Sequence, residues 1–235
     1  MSERSVRASR RGFMTVVGKV AASIALATGV APVSALGAAE SDSEAPPTDG
    51  SFDLSWIKRL SGAVDRAVFD WPSLGDAGDP TMLYLAERYL DNCREAYGSA
   101  KYEVRTVLNI RTQAVSAALS DTIWTRFQLG DELKVKDPNT TQIAARNPFL
   151  HRSPNPVPDV VVPTIPDLVQ RGSIVLVCNF ALRNLAKRIA AKAGPSADEV
   201  HEQLRAGVID GAFVVPSGIF GLARAQNAGC ALVRQ

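Results

Sequence analysis

Strand and helix patterns alternate through the last third of the chain, and this alternation constrains the fold more than any other feature. Ile165–Gln170 suits a short helix and Ser173–Val177 is a continuous apolar strand. Phe180–Lys192 is helical up to Gly194-Pro195, and Ser196 with Glu199 forms a capping box for a helix running through Arg205. Phe213–Val215 is a strand, Ile219–Asn227 a helix and Cys230–Val233 a last strand. Strands that are apolar on both faces and separated by helices belong to a parallel sheet covered on both sides. The expected class is therefore α/β, a flavodoxin-like, mainly parallel sheet with helices on both faces.

Upstream, Val104–Ile110 is short, β-branched and strand-like. Val115, Leu119, Ile123 and Phe127 then recur every four residues before Gly130 and predict an amphipathic helix. A better-marked helix precedes the strand, with Asp79 as N-cap, Pro80 at its first position and Gly98 as terminator. Earlier still, Ile57, Leu60, Val64 and Val68 fall at helical spacing. Residues 51–100 thus read as an N-terminal helical extension and 101–235 as the α/β domain. Between Asp131 and Pro166 lie seven prolines, and only Val160–Val162 has strand character. So long a loop is expected to cover one end of the sheet or to meet a neighbouring subunit.

The N-terminus reads as an address. Ser9-Arg10-Arg11-Gly12-Phe13-Met14 is followed by an uncharged run from Val20 to Ala39, rich in small residues and containing Pro32. This is the pattern of a twin-arginine signal peptide over 1–39. The run is barely long enough to span a bilayer and ends in small-residue sites, which favours cleavage over anchoring. The mature protein is expected in the periplasm or another extracytoplasmic space, with no membrane span after cleavage. The acidic, proline-containing 40–50 reads as a disordered linker.

Formal charge is +2, but Arg4, Arg7, Arg10, Arg11 and Lys19 stand against Glu3 alone in the signal, so the remainder is slightly acidic. That balance argues against nucleic acid as a partner. His151 and His201 are far apart and expected at the surface, and no cysteine or carboxylate stands at zinc-ligand spacing, so no metal is expected. Arg111-Thr112-Gln113-Ala114, after the first strand of the α/β pattern, lacks the Ser, Thr and Gly of a flavin phosphate loop, and no cofactor is expected.

Cys178 is the best candidate for chemistry. It closes an apolar strand and opens a helix, which places it at the carboxyl edge of the sheet, where open α/β folds bind ligands and a helix N-terminus favours a thiolate. The same residue would serve equally as a small buried packing side chain. Asn179 is expected to cap the helix, and Arg183, one turn on, either to help hold the thiolate or, as is commoner, to stand solvated. Thr112 and Gln113 after one strand, and Pro216, Ser217 and Gly218 after another, are expected along the same edge, with Gly218 read chiefly as a turn residue. Cys93 is expected in the core of its helix. Whether Cys178 pairs with Cys230 is open, since a disulfide needs Cα atoms within about 7 Å.

The order Arg171-Gly172, strand, Cys178-Asn179, helix, then Val214-Val215-Pro216-Ser217-Gly218, helix, and Gln226-Asn-Ala-Gly229 resembles the DsrE/DsrF-like family over about 102–234. The Ala-Arg-Asn-Pro segment at 145–148 is similar to one in exported members. The resemblance implies a homo-oligomer, and a persulfide on the cysteine ending the strand, here Cys178, exchanged with a sulfur donor or thiol partner protein. The other function class open to the chain is a non-catalytic module that binds a small molecule or assembles into oligomers.

Overall fold

A computed structural model describes residues 51–75, 78–98, 103–137, 140–152 and 162–234. The twin-arginine segment, the linker 40–50 and the strand expected at Val160–Val161 lie outside the described residues; Val162 is exposed and outside any strand.

The chain folds as α/β. Strands β1 (Asp65–Trp71), β2 (Val104–Ile110), β3 (Ile174–Cys178), β4 (Ala212–Val215) and β5 (Ala231–Arg234) form one parallel sheet in the order β4-β3-β2-β1-β5. From β1 to β4 the chain always steps the same way, so right-handed crossovers place α1 (Thr81–Tyr97), α4 (Ile165–Gln170), α5 (Asn179–Ala193) and α6 (Ala197–Ala206) on one face. The return from β4 to β5 runs the other way, and the same handedness puts α7 (Gly218–Asn227) on the opposite face, across β1 to β4.

Side chains alternate accordingly. Phe69, Trp71, Leu108, Ile110, Val175 and Val177 pack under the first set of helices. Val68, Val107, Ile174, Leu176 and Val215 pack on the other side with Trp56, Leu60 and Ala225. β3 is buried along its whole length, as the continuous apolar run demands.

The segment 51–100 corrects the sequence reading. Only its second half, α1, is the expected helix: Ser55–Leu60 forms a short 3-10 helix, Gly62 takes a φ of 84°, and Asp65–Trp71 enters the sheet as β1, between β2 and β5. Of the four apolar residues at helical spacing only Val68 lies in the run Ala67–Trp71, which is buried on both faces, and pairing with two strands makes that run β. α1 ends at Gly98 as expected, while its cap is Pro80, with the Asp79 carboxylate accepting from the Thr81 N–H at 2.8 Å.

The helix expected through Val115–Phe127 is broken into a 3-10 turn (Thr112–Ala118), α2 (Asp121–Arg126) and α3 (Leu129–Leu133). Tertiary partners take the hydrogen bonds that a continuous helix would use. Buried Asn147, from the long loop, donates its side-chain amide to the Ala117 and Leu119 carbonyls at 2.8 and 2.6 Å, and Ser120 N–H donates to Gly207 O at 2.8 Å. The 145–148 segment thus pins the loop beneath the sheet edge, with Phe149 edge-on to Trp71. No helix among the described residues is long and apolar enough to cross a membrane.

Candidate functional site

The carboxyl ends of β1 to β4 lie side by side, and residues that follow β2, β3 and β4 build a pocket of about 280 Å³. Cys178, Thr112, Gln113, Ser217 and Gly218 line it, as the edge argument predicts. Asn179, Arg183 and Pro216 do not.

Cys178 is both the last residue of β3 and the N-cap of α5. Its Sγ accepts a hydrogen bond from the Ala181 N–H at 3.3 Å, and the residue is 5% exposed. Asn179 therefore has no capping role. It is buried, and its side-chain oxygen accepts from Nε2–H of His201 on α6 at 2.9 Å. His201 is likewise buried, not at the surface; burial lowers its pKa, and the positive charge of Arg183 adds to that. Arg183, exposed on α5, thus faces the wrong way to serve Cys178. His151 is held by Asp121 at 2.6 Å.

The cation beside Cys178 is Arg111, immediately after β2. Buried Asp70, on β1, grips it with both carboxylate oxygens, Nε to Oδ1 at 2.7 Å and Nη2 to Oδ2 at 2.8 Å. Asn109, the register partner of Asp70, donates Nδ2 to Oδ1 at 3.1 Å. The Asp70 hydrogen bonds, outweighing burial, and the neighbouring Cys178 raise the pKa of Arg111 and keep it charged.

Gly218 explains how Arg111 is seated. A Cβ there would stand 2.6 Å from Arg111 Cβ and 2.7 Å from its Cδ, so the glycine is required by close approach, and its backbone is not in the left-handed region that a turn glycine supplies. Ser217 caps α7, its Oγ accepting from Phe220 N–H at 3.2 Å. Thr112, by contrast, is β-branched at a φ of 53°. Such backbone costs roughly 1–2 kcal/mol and persists only where its surroundings impose it; here Arg111 N–H and Gln113 N–H are tied to Trp71 O and Pro72 O at 3.0 and 3.1 Å.

The outer wall is apolar. Val115, Leu133 and Leu185 line it, and Phe180 and Ile219, the latter 75% exposed, stand at the mouth. Arg188 also reaches the pocket, but it is paired with Glu132 at 2.9 Å, as is Lys192. Burial would raise the Glu132 carboxyl, and the two cations outweigh it and hold it below its ordinary value.

All three cysteines carry free thiols. Cys230 precedes β5 at the amino end of the sheet, three strands across from β3, so it cannot meet Cys178 within one chain. Burial pushes its thiol up to about 11. Cys93 is half-buried on α1, its thiol raised by burial. Among the described residues there is no group of three or more His, Cys, Asp and Glu that could hold a metal ion.

Sequence reasoning missed Asp70 because the helical spacing of Ile57, Leu60 and Val64 runs on into its strand at Val68, and missed Arg111 although the edge argument that found Thr112 applies to it equally. No family model and no curated protein matches the chain. Among solved structures it is similar to a protein of unknown function from Methanobacterium thermoautotrophicum, at 17% identity and a TM-score of 0.33, over 73% of this chain and 99% of that one.

Proposed function

We propose that the protein is an exported, DsrE-like α/β protein that handles sulfur or thiol redox chemistry through Cys178. The observation that carries this reading is the seat of Cys178: it caps α5 with its own sulfur and borders a pocket whose floor holds a fixed cation, Arg111. The Ala181 N–H and the guanidinium both interact more strongly with a sulfur anion than with a neutral thiol. A thiolate is the nucleophile in sulfur transfer. It attacks the outer sulfur of a donor R–S–SH, the donor's S–S bond breaks with its electron pair leaving on RS⁻, and Cys178 carries the persulfide.

Arg10-Arg11 and the small-residue run after them support export through the twin-arginine route, and the family resemblance supports assembly into a homo-oligomer that meets a sulfur-donor or thiol partner. The test is alkylation of Cys178 in the folded protein near neutral pH, followed by mass spectrometry after exposure to a sulfane-sulfur donor. Faster alkylation than free cysteine and gain of one sulfur atom at Cys178, absent in Cys178→Ser, are expected. A thiol that reacts only on unfolding would leave a non-catalytic binding module as the account of the pocket.

A further inference from the structure

The pocket's wall and its charge balance together restrict what can lie against Cys178. Of the five N–H donors on the Arg111 guanidinium, Asp70 takes two at 2.7 and 2.8 Å and Thr112 Oγ1 stands 3.4 Å from Nη1. The remaining donors suffice for one anionic oxygen or sulfur, while Asp70 already cancels most of the guanidinium's charge. Arg188 shares the single Glu132 carboxylate with Lys192, at the outer side of the pocket. A dianion placed against Cys178 would lose its hydration to walls made of Val115, Leu133 and Leu185, with the guanidinium beside it already offset by Asp70. A monoanion with an apolar body meets both demands: its head reaches Arg111, and its body covers Leu185 and the side chains of Phe180 and Ile219, which stand 62% and 75% exposed at the mouth.

We infer that the pocket takes small amphiphilic monoanions, organic sulfane-sulfur donors with an apolar body in preference to inorganic thiosulfate. This rests on the reading of Cys178 as the sulfur-bearing residue. With an organic thiosulfonate RSO₂S⁻ the Cys178 thiolate attacks the outer sulfur. The S–SO₂ bond breaks, its electron pair leaves on the sulfinate RSO₂⁻, and Cys178–S–S⁻ remains, so atoms and charge balance without a further oxidant or reductant.

The experiment compares three donors on the full chain, namely thiosulfate, methanethiosulfonate and benzenethiosulfonate, following sulfur gain at Cys178 by mass spectrometry. Each rate is divided by the rate of the same donor with glutathione. The phenyl donor is expected to be about tenfold faster than the methyl donor, for burial of part of one ring, and thiosulfate slowest. Phe180→Ala narrows the phenyl-to-methyl ratio. Equal normalised rates, or thiosulfate the fastest, would overturn the inference and leave the sulfur reading standing. If no donor loads Cys178, the sulfur reading falls, and the inference is judged on Cys178→Ser protein titrated with benzenesulfinate and methanesulfinate. Amide shifts at Phe180, Ala181 and Gly218 with the phenyl anion alone keep it, and their absence ends it.

Discussion

The Asp70 carboxylate holds the Arg111 guanidinium through two charge-assisted hydrogen bonds, across adjacent strands and next to Cys178. Because β1 and β2 pair in parallel with Asp70 opposite Asn109, the carboxylate is fixed from the side by the Asn109 amide while it orients the arginine that follows. Asp70 thus positions Arg111, and under the proposed function it acts on Cys178 through that arginine.

Asp70→Asn keeps the shape and removes the charge. Arg111, still seated against Gly218, keeps its charge without the carboxylate that offsets it, so Cys178 alkylation near neutral pH is expected to quicken several-fold. Stability is expected to fall by about 2 kcal/mol in urea unfolding, the scale of hydrogen bonds to a charged group. Unchanged alkylation in a folded variant would show that Arg111 does not act on Cys178.

Gly218→Ala tests the close approach. The added methyl meets Arg111 at its Cβ, too near the backbone to swing away, so the arginine must shift. A cost of about 1–3 kcal/mol is expected from thermal unfolding, together with slower alkylation of Cys178. Gly194→Ala, where a Cβ meets nothing within 4 Å but φ is 87°, gives a comparison in which backbone strain alone acts.

Asn147→Ala removes the donor shared by the Ala117 and Leu119 carbonyls, and with it the acceptor for Phe149 N–H. Three buried backbone groups are left unpaired, and a loss of about 3 kcal/mol or more is expected in denaturant unfolding. Limited proteolysis should then cut first in the loop after α3.

His201 confers a pH dependence whose sign follows from burial. Its folded pKa lies below the ordinary 6.5 because burial, with the Arg183 charge, disfavours the imidazolium. The unfolded chain therefore binds a proton as pH drops through 6.5 while the folded chain does not, so stability is full above 6.5 and declines below it. Urea midpoints measured at about pH 7.5 and about pH 5.5 should differ in that direction, and the difference should shrink in His201→Gln, which keeps a donor for Asn179.

The C-terminal alternation was fully legible. β3, α5, α6, β4 and α7 appear within a residue or so of their expected bounds, because the helices are capped by side chains and the apolar pattern of each element agrees with its environment. Cys178 was legible for the same reason, since a strand that runs directly into a helix can only end at the carboxyl edge.

Local pattern alone determined the α/β class, the parallel sheet and the position of Cys178 on it. Only tertiary structure decided that Ala67–Trp71 is a strand, that the helix expected after β2 breaks, and that Arg111 rather than Arg183 stands by the sulfur. In each case the deciding groups are distant in sequence: β2 and β5 pair with β1, Asn147 captures the carbonyls of residues 117 and 119, and Asp70 aims an arginine forty-one positions along the chain. A period in the sequence reports which face of an element is apolar. It does not report which remote backbone or carboxylate will claim that element's hydrogen bonds.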